Sequence, residues 1–347
     1  MPALSLVSRG ILALVLLVLP IYLVVMAPLK LLLLLVLYVP PLILFGCTYL
    51  YAKRLATKLN WEMLFRVFFG GFFPGVVLAI VAESLLTFLF FFVFLGSDSK
   101  EILQEYQEYG HAHPNATAGE ILSHLNFRQT FGFFLFIFSL AFVVAGVVEE
   151  YIKYWLVKGK CCVASGLCTP FTSPHVVDPF YTILCFAAAG CGFATCENVG
   201  YVFIQTGFSN QIQTAIARSL LATPLHVLCT CMTGMNIVSI ELNRAHQQEL
   251  LERSYLEKAL TTFRCLLPAI IFHGVYDFQA FICSIFLPNW PHASILVGAI
   301  CILLGANYVH QVYSFINWDY QVLDFDDAAL NAMEHGEEID NLQVQAN

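Results

Sequence analysis

The sequence predicts an all-α fold, a polytopic transmembrane helical bundle of about eight spans. Three observations predict it. The 347-residue chain is 59% hydrophobic and 12% charged, with a mean hydropathy of +0.75, against roughly 45–50% and 25% in soluble domains. Its apolar residues gather into runs close to the ~20 residues that cross a ~30 Å hydrocarbon core. Its 16 basic and 24 acidic residues lie mostly between those runs. This composition argues against a nucleic-acid binder, a disordered chain and a water-soluble enzyme.

In chain order the runs are Ile11–Met26, Leu31–Leu50, Val67–Leu95, Phe131–Val157, Phe180–Thr206, Thr214–Ile240, Phe263–Leu287 and Ala293–Phe315. The first also resembles a signal peptide, with small-residue spacing at Val25-Met26-Ala27. Pro28 directly after it argues against cleavage and for a retained span. Three regions follow: 1–130 with about three spans and a long loop at 96–130, a core at 131–316, and a tail at 317–347. Residues 323–347 hold seven acids and no Lys or Arg, so the net charge of −8 is a property of that tail, which reads as solvated and disordered.

Basic residues set the sidedness. Lys53, Arg54, Lys58 and Arg66 follow the second run, three lysines fall at 153–160, and Arg244, Arg253, Lys258 and Arg264 fall at 241–264, from the end of the sixth run to the start of the seventh. The alternate loops hold few. The positive-inside rule therefore places both termini and the basic loops in the cytosol. The 96–130 loop then faces outward, where Asn115-Ala116-Thr117 is a usable N-glycosylation acceptor. A secretory-pathway or plasma membrane fits this arrangement.

Nine of the twelve cysteines lie inside the runs and pack as small hydrophobes. Cys161, Cys162 and Cys168 lie in a cytosolic loop without zinc-site spacing, as reduced thiols or palmitoylation sites.

A charge at the bilayer centre costs from about 2.5 kcal/mol upward, so each intramembrane ionisable group needs a partner, a wet cavity or a role. Residues 1–130 contain one such acid, Glu83. The others concentrate at 131–279: Glu149, Glu150, Lys153, Glu197, Arg218, His226, His273 and Asp277.

Glu149 and Lys153 are four apart on one helical face, in the favourable order for an ion pair. The lysine can hold one carboxylate ionised and leave its neighbour free to accept a proton. The same residues also describe a snorkelling helix end. Glu197 and Asn198 end the small-residue stretch that starts at Gly190, so they can form an interhelical hydrogen-bond pair, bind metal or position substrate. His226 follows Pro224, whose kink opens the backbone locally. It is a packing residue or part of a site. His273 and Asp277 share a face, where the carboxylate can orient the imidazole or both can ligate a metal. Gly274 leaves room for a neighbouring helix or a substrate.

At about 1.5 Å per residue from the cytosolic ends, Glu149 lies about 12 Å deep, His273 about 15 Å and His226 about 21 Å. Those three can meet. Glu197 comes out at about 26 Å, which calls for a break at Gly190/Gly192 or a partly interfacial Phe180–Ala189 segment.

The sequence EEYIK at 149–153, FATCEN at 193–198, His226 with Gly234 eight residues on, and HGVYD at 273–277 together resemble the EExxK, FAxxEN, H-x7-G and HxxxD motifs of the PrsW intramembrane proteases. That family belongs with the CAAX prenyl proteases and bacteriocin-processing enzymes. The resemblance covers about 150 residues in motif order; residues 1–130 and the tail have no counterpart.

It implies a helical metallopeptidase that cuts a membrane protein or peptide at or within the lipid bilayer. Glu149 or Glu150 would activate water, and His226, His273 and Glu197 would bind zinc or another divalent metal or stabilise the oxyanion. Lys153, Asn198 and Asp277 would orient them. Since Glu149 pairs with Lys153, Glu150 is the favoured base. A proton- or ion-coupled transporter and a catalytically silent scaffold are the rivals.

Overall fold

The structure is a computed structural model that describes residues 6–55, 61–96, 98–113, 125, 130–158, 179–247, 255–287 and 290–316. All secondary structure among them is helical. Seven helices are long and apolar enough to cross a membrane, and the protein is an integral multi-pass membrane protein.

We number the helices in chain order. The stretch 6–26 forms α1, with a π-helical segment at Leu14–Val18. Next come α2 (Pro28–Leu55), α3 (Trp61–Leu95), α4 (Asp98–Ala112) and α5 (Phe131–Lys158). They are followed by α6 (Pro179–Ile204), α7 (Phe208–Ile240, helical onward to Gln247), α8 (Tyr255–Phe286) and α9 (Pro291–Phe315). The seven candidate spans are α2, α3 and α5–α9. The run expected at Ile11–Met26 is helical within α1 but is not among the seven. The 96–130 loop contains α4, whose sequence is polar and opens with Asp98 and Glu101 at the helix N-terminus. Asn115, Cys161, Cys162, Cys168 and the acidic tail lie outside the described residues.

α6 is the central element, its apolar window 78% buried against 17% for α9. It packs against α2, α3, α5 and α7, while α8 packs against α5, α7 and α9. Small residues make the central contacts possible. A Cβ on Gly192 would collide with the Phe68 carbonyl of α3, and one on Gly190 would reach within 2.6 Å of the His226 carbonyl of α7. These glycines therefore serve close packing rather than a break, and α6 runs unbroken from Pro179 to Ile204.

Three spans contain π-helical turns, at Gly71–Gly75 in α3, Leu140–Glu149 in α5 and Arg218–Ala222 in α7. Proline accounts for two of them. Pro74 lies inside the first and Pro224 follows the third, and a missing N–H favours rearranged backbone bonding. The distortion expected at Pro224 thus takes the form of a π turn ahead of His226.

Candidate active site

The four motif elements converge where α5, α6, α7 and α8 meet. Lys153 is the hub, with no exposed surface. Its Nζ donates to Glu149 Oε2 at 3.0 Å, Glu150 Oε1 at 2.8 Å and His226 Nδ1 at 2.7 Å. An ammonium has three donors and no acceptor, so all three are used and His226 Nδ1 must be the bare nitrogen. The proton of the neutral imidazole then sits on Nε2, 2.9 Å from Glu197 Oε2.

His273 is held from both sides. Its Nδ1 lies 2.9 Å from Glu150 Oε1 and its Nε2 lies 3.3 Å from Asp277 Oδ2. The two imidazoles meet edge to face with centroids 5.0 Å apart. Phe142 fills the space left beside Gly274, so a neighbouring helix occupies it.

The adjacent glutamates part company. Glu150 is 1% exposed and turns inward to Lys153 and His273. Glu149 lines a cavity of about 930 Å³, together with Glu197, His226, His273 and Asp277. Its Oε2 lies 3.6 Å from His226 Nδ1 and 3.9 Å from His273 Nε2. The π segment ends at Glu149, and the α-helical turn after it brings Lys153 under both acids, at i+4 and i+3. The lysine thus meets both, where helical spacing had assigned it to Glu149 alone.

Glu197 and Asn198 share a second cation. Arg218 Nη2 lies 3.1 Å from Glu197 Oε1, and its Nε donates to Asn198 Oδ1 at 2.7 Å. Asn198 Nδ2 in turn donates to Thr223 Oγ1 at 2.9 Å, and the guanidinium stacks over Tyr201 at 3.8 Å. Helix α6 brings Glu197 to His226 without the break at Gly190/Gly192 that was one of the two alternatives from depth counting.

Sequence reasoning left Arg218 and Glu83 unassigned, and both line the same cavity. Their signal was present, since each is an ionisable residue at membrane depth outside the motifs. Tyr201 and Tyr276, also in the lining, gave no such signal.

Among the described residues, two buried sets of donor atoms can hold a metal ion. Glu149, His226 and His273 form one, and Glu150, Cys229 and His273 the other, each with ligand atoms within 4.8 Å of one another. One carboxylate and two imidazoles are a donor set that zinc accepts, so the first set fits a metal. It contains Glu149 where Glu197 was expected; Glu197 is engaged by Arg218.

Residues 113–318 match the model of a family described as PrsW family intramembrane metalloprotease. The chain is also 28% identical over 137 residues to Protease PrsW of Geobacillus kaustophilus (strain HTA426), covering 40% of this chain and 50% of that protein. It therefore spans about half the length of that curated relative. No solved structure matches the chain.

Proposed function

The chain belongs to the PrsW family of intramembrane metalloproteases, and from that premise we propose that it hydrolyses peptide bonds of a membrane protein or peptide at a site within the bilayer. The observation that carries this is the convergence of Glu149, His226 and His273 on one cavity. A silent scaffold has no need to open these groups to a space large enough for a peptide.

The reacting water belongs between Glu149 and the two imidazoles. Glu149 takes its proton as general base while the oxygen attacks the scissile carbonyl, and it returns the proton to the leaving amine. His226, whose Nε2 carries a hydrogen, is a donor for the developing oxyanion. Lys153 holds Glu149, Glu150 and His226 in register, Glu150 and Asp277 fix the ring of His273, and Asn198 steadies the Arg218–Glu197 pair beside His226. Glu149 replaces Glu150 as the favoured base because it faces the cavity.

With a ring nitrogen of each deprotonated, His226 and His273 would hold a divalent metal such as zinc, with Glu149 in reach of the same ion; His226 would then be a ligand in place of the oxyanion donor. Such an ion supplies Lewis-acid activation of water and carbonyl when bound. The termini are taken as cytosolic, in a secretory-pathway or plasma membrane.

The test is fragment release from a single-span substrate by the purified protein in liposomes. Glu149→Gln, His226→Ala and His273→Ala should each abolish release. Ion flux without cleavage, or full cleavage by all three variants, overturns the proposal. Stoichiometric metal in the wild type that is lost in both histidine variants supports zinc, whereas full activity in chelator rejects it.

A further inference from the structure

The cavity wall opposite the motif helices comes from α3, outside the segment that matches the family model. Ile80, Glu83, Ser84, Thr87, Phe88 and Phe91 recur at spacings of three and one and so line one helical face toward the cavity. The other acids of the lining have cationic or imidazole neighbours: Glu149 has Lys153, Glu197 has Arg218 and Asp277 has His273. Among the described residues Glu83 has no basic side chain within ion-pair distance, and its Oε1 is buried without a hydrogen-bond partner. Its carboxyl instead faces Glu149, another acid.

Two acids side by side at membrane depth can share a proton, but that still leaves Glu83 Oε1 buried without a partner at the cavity wall, where an incoming cation would satisfy it. We propose that Glu83, flanked by the Ser84 and Thr87 hydroxyls, forms a subsite for a basic side chain of the substrate. The chemistry matches an amine. Ser84 Oγ donates to the Ile80 carbonyl at 2.6 Å, which leaves its lone pairs, with those of Thr87 and the Glu83 carboxylate, as acceptors for three ammonium protons. A divalent ion fits less well, since neither close set of metal donors includes Glu83. Spanning segments carry Lys and Arg near their ends, where a long stem lets the charge reach past apolar surface. The aromatic remainder of the wall, Phe88 and Phe91, suits such a stem.

The inference rests on the protease reading for the word substrate, but its test does not need turnover. Synthetic single-span peptides are compared in pairs that differ only by Lys or norleucine at one position, the position being scanned along the peptide. Binding is measured to the full chain in nanodiscs. At one position Lys should bind about tenfold tighter than norleucine, the value of one charged hydrogen-bonded contact. Glu83→Gln should bring that ratio near one, and Thr87→Val should lower it in part, while Glu149→Gln should keep it and lose cleavage. A ratio near one at every position, or one unchanged in both Glu83→Gln and Thr87→Val, overturns the subsite. A preserved Lys preference in a wild-type protein that cleaves none of the peptides would instead overturn the protease proposal and leave the subsite standing.

Discussion

The ionisable groups form two tiers with opposite characters. The inner tier, Lys153 with Glu150, is closed: its acid is 1% exposed, and each ammonium proton has an acceptor. The outer tier, Glu149, Glu197, Asp277, Glu83 and Arg218, opens onto the cavity. The difference teaches that adjacent residues can serve separate ends. Burial with every ammonium proton paired makes a rigid anchor, even with Glu150 Oε2 left without a hydrogen-bond partner, whereas a group with one side toward a cavity keeps an atom free for a ligand. The tiers should respond differently to substitution.

Lys153→Ala should do the most damage. It leaves two buried carboxylates and His226 without their donor, a break that costs about 3–5 kcal/mol. Thermal unfolding in detergent should show a large loss of stability together with loss of activity. If this variant stays as stable as the wild type, the inner tier is not an anchor.

Glu149→Gln and Glu150→Gln divide the tiers most sharply. The first should lower turnover by about 10²–10⁴-fold with little change in unfolding temperature. The second should lower both, because it removes the negative charge from a fully buried pair and leaves Lys153 with one carboxylate partner in place of two. A catalytic loss confined to Glu150→Gln, with Glu149→Gln active, would reverse the assignment.

Arg218 should have a smaller effect. Arg218→Ala frees Glu197 and Asn198, and a lost charged hydrogen bond worth about 1.5–3 kcal/mol corresponds to roughly 10–100-fold in kcat. Arg218→Lys should recover part of it, since lysine restores the charge but not the fork that spans Glu197 and Asn198. Equal defects in both variants would point to the stack on Tyr201 instead.

The smallest effect is expected from Asp277→Asn. His273 stays fixed through Glu150, so kcat should fall only severalfold with stability nearly intact, as read by paired turnover and unfolding measurements. A collapse of activity would mean that Asp277, not Glu150, orients the ring.

Much of the site was legible because lipid makes charge conspicuous. Eight charged residues fall inside the predicted runs, and all but Arg264, at the very start of the seventh, reach the shared cluster or its cavity. Helical periodicity also paired Glu149 with Lys153 and His273 with Asp277 correctly. It failed where the backbone departs from 3.6 residues per turn or where partners come from distant helices. The π segment at Leu140–Glu149 could not be read from an apolar run. Of the two alternatives that depth counting offered for Glu197, the break at Gly190/Gly192 is absent: α6 is continuous and meets α7 through those glycines.

By itself the sequence determined the solvent, the number of spans to within one, and the short list of residues that lipid would not tolerate without a purpose. Only the tertiary structure decided which glutamate faces the cavity, which acid Arg218 neutralises, and that Glu83 joins the site from a helix outside the motifs. The reason is physical: hydrophobicity and helical period are local properties of a chain, whereas the partner of a buried charge is chosen by packing between helices.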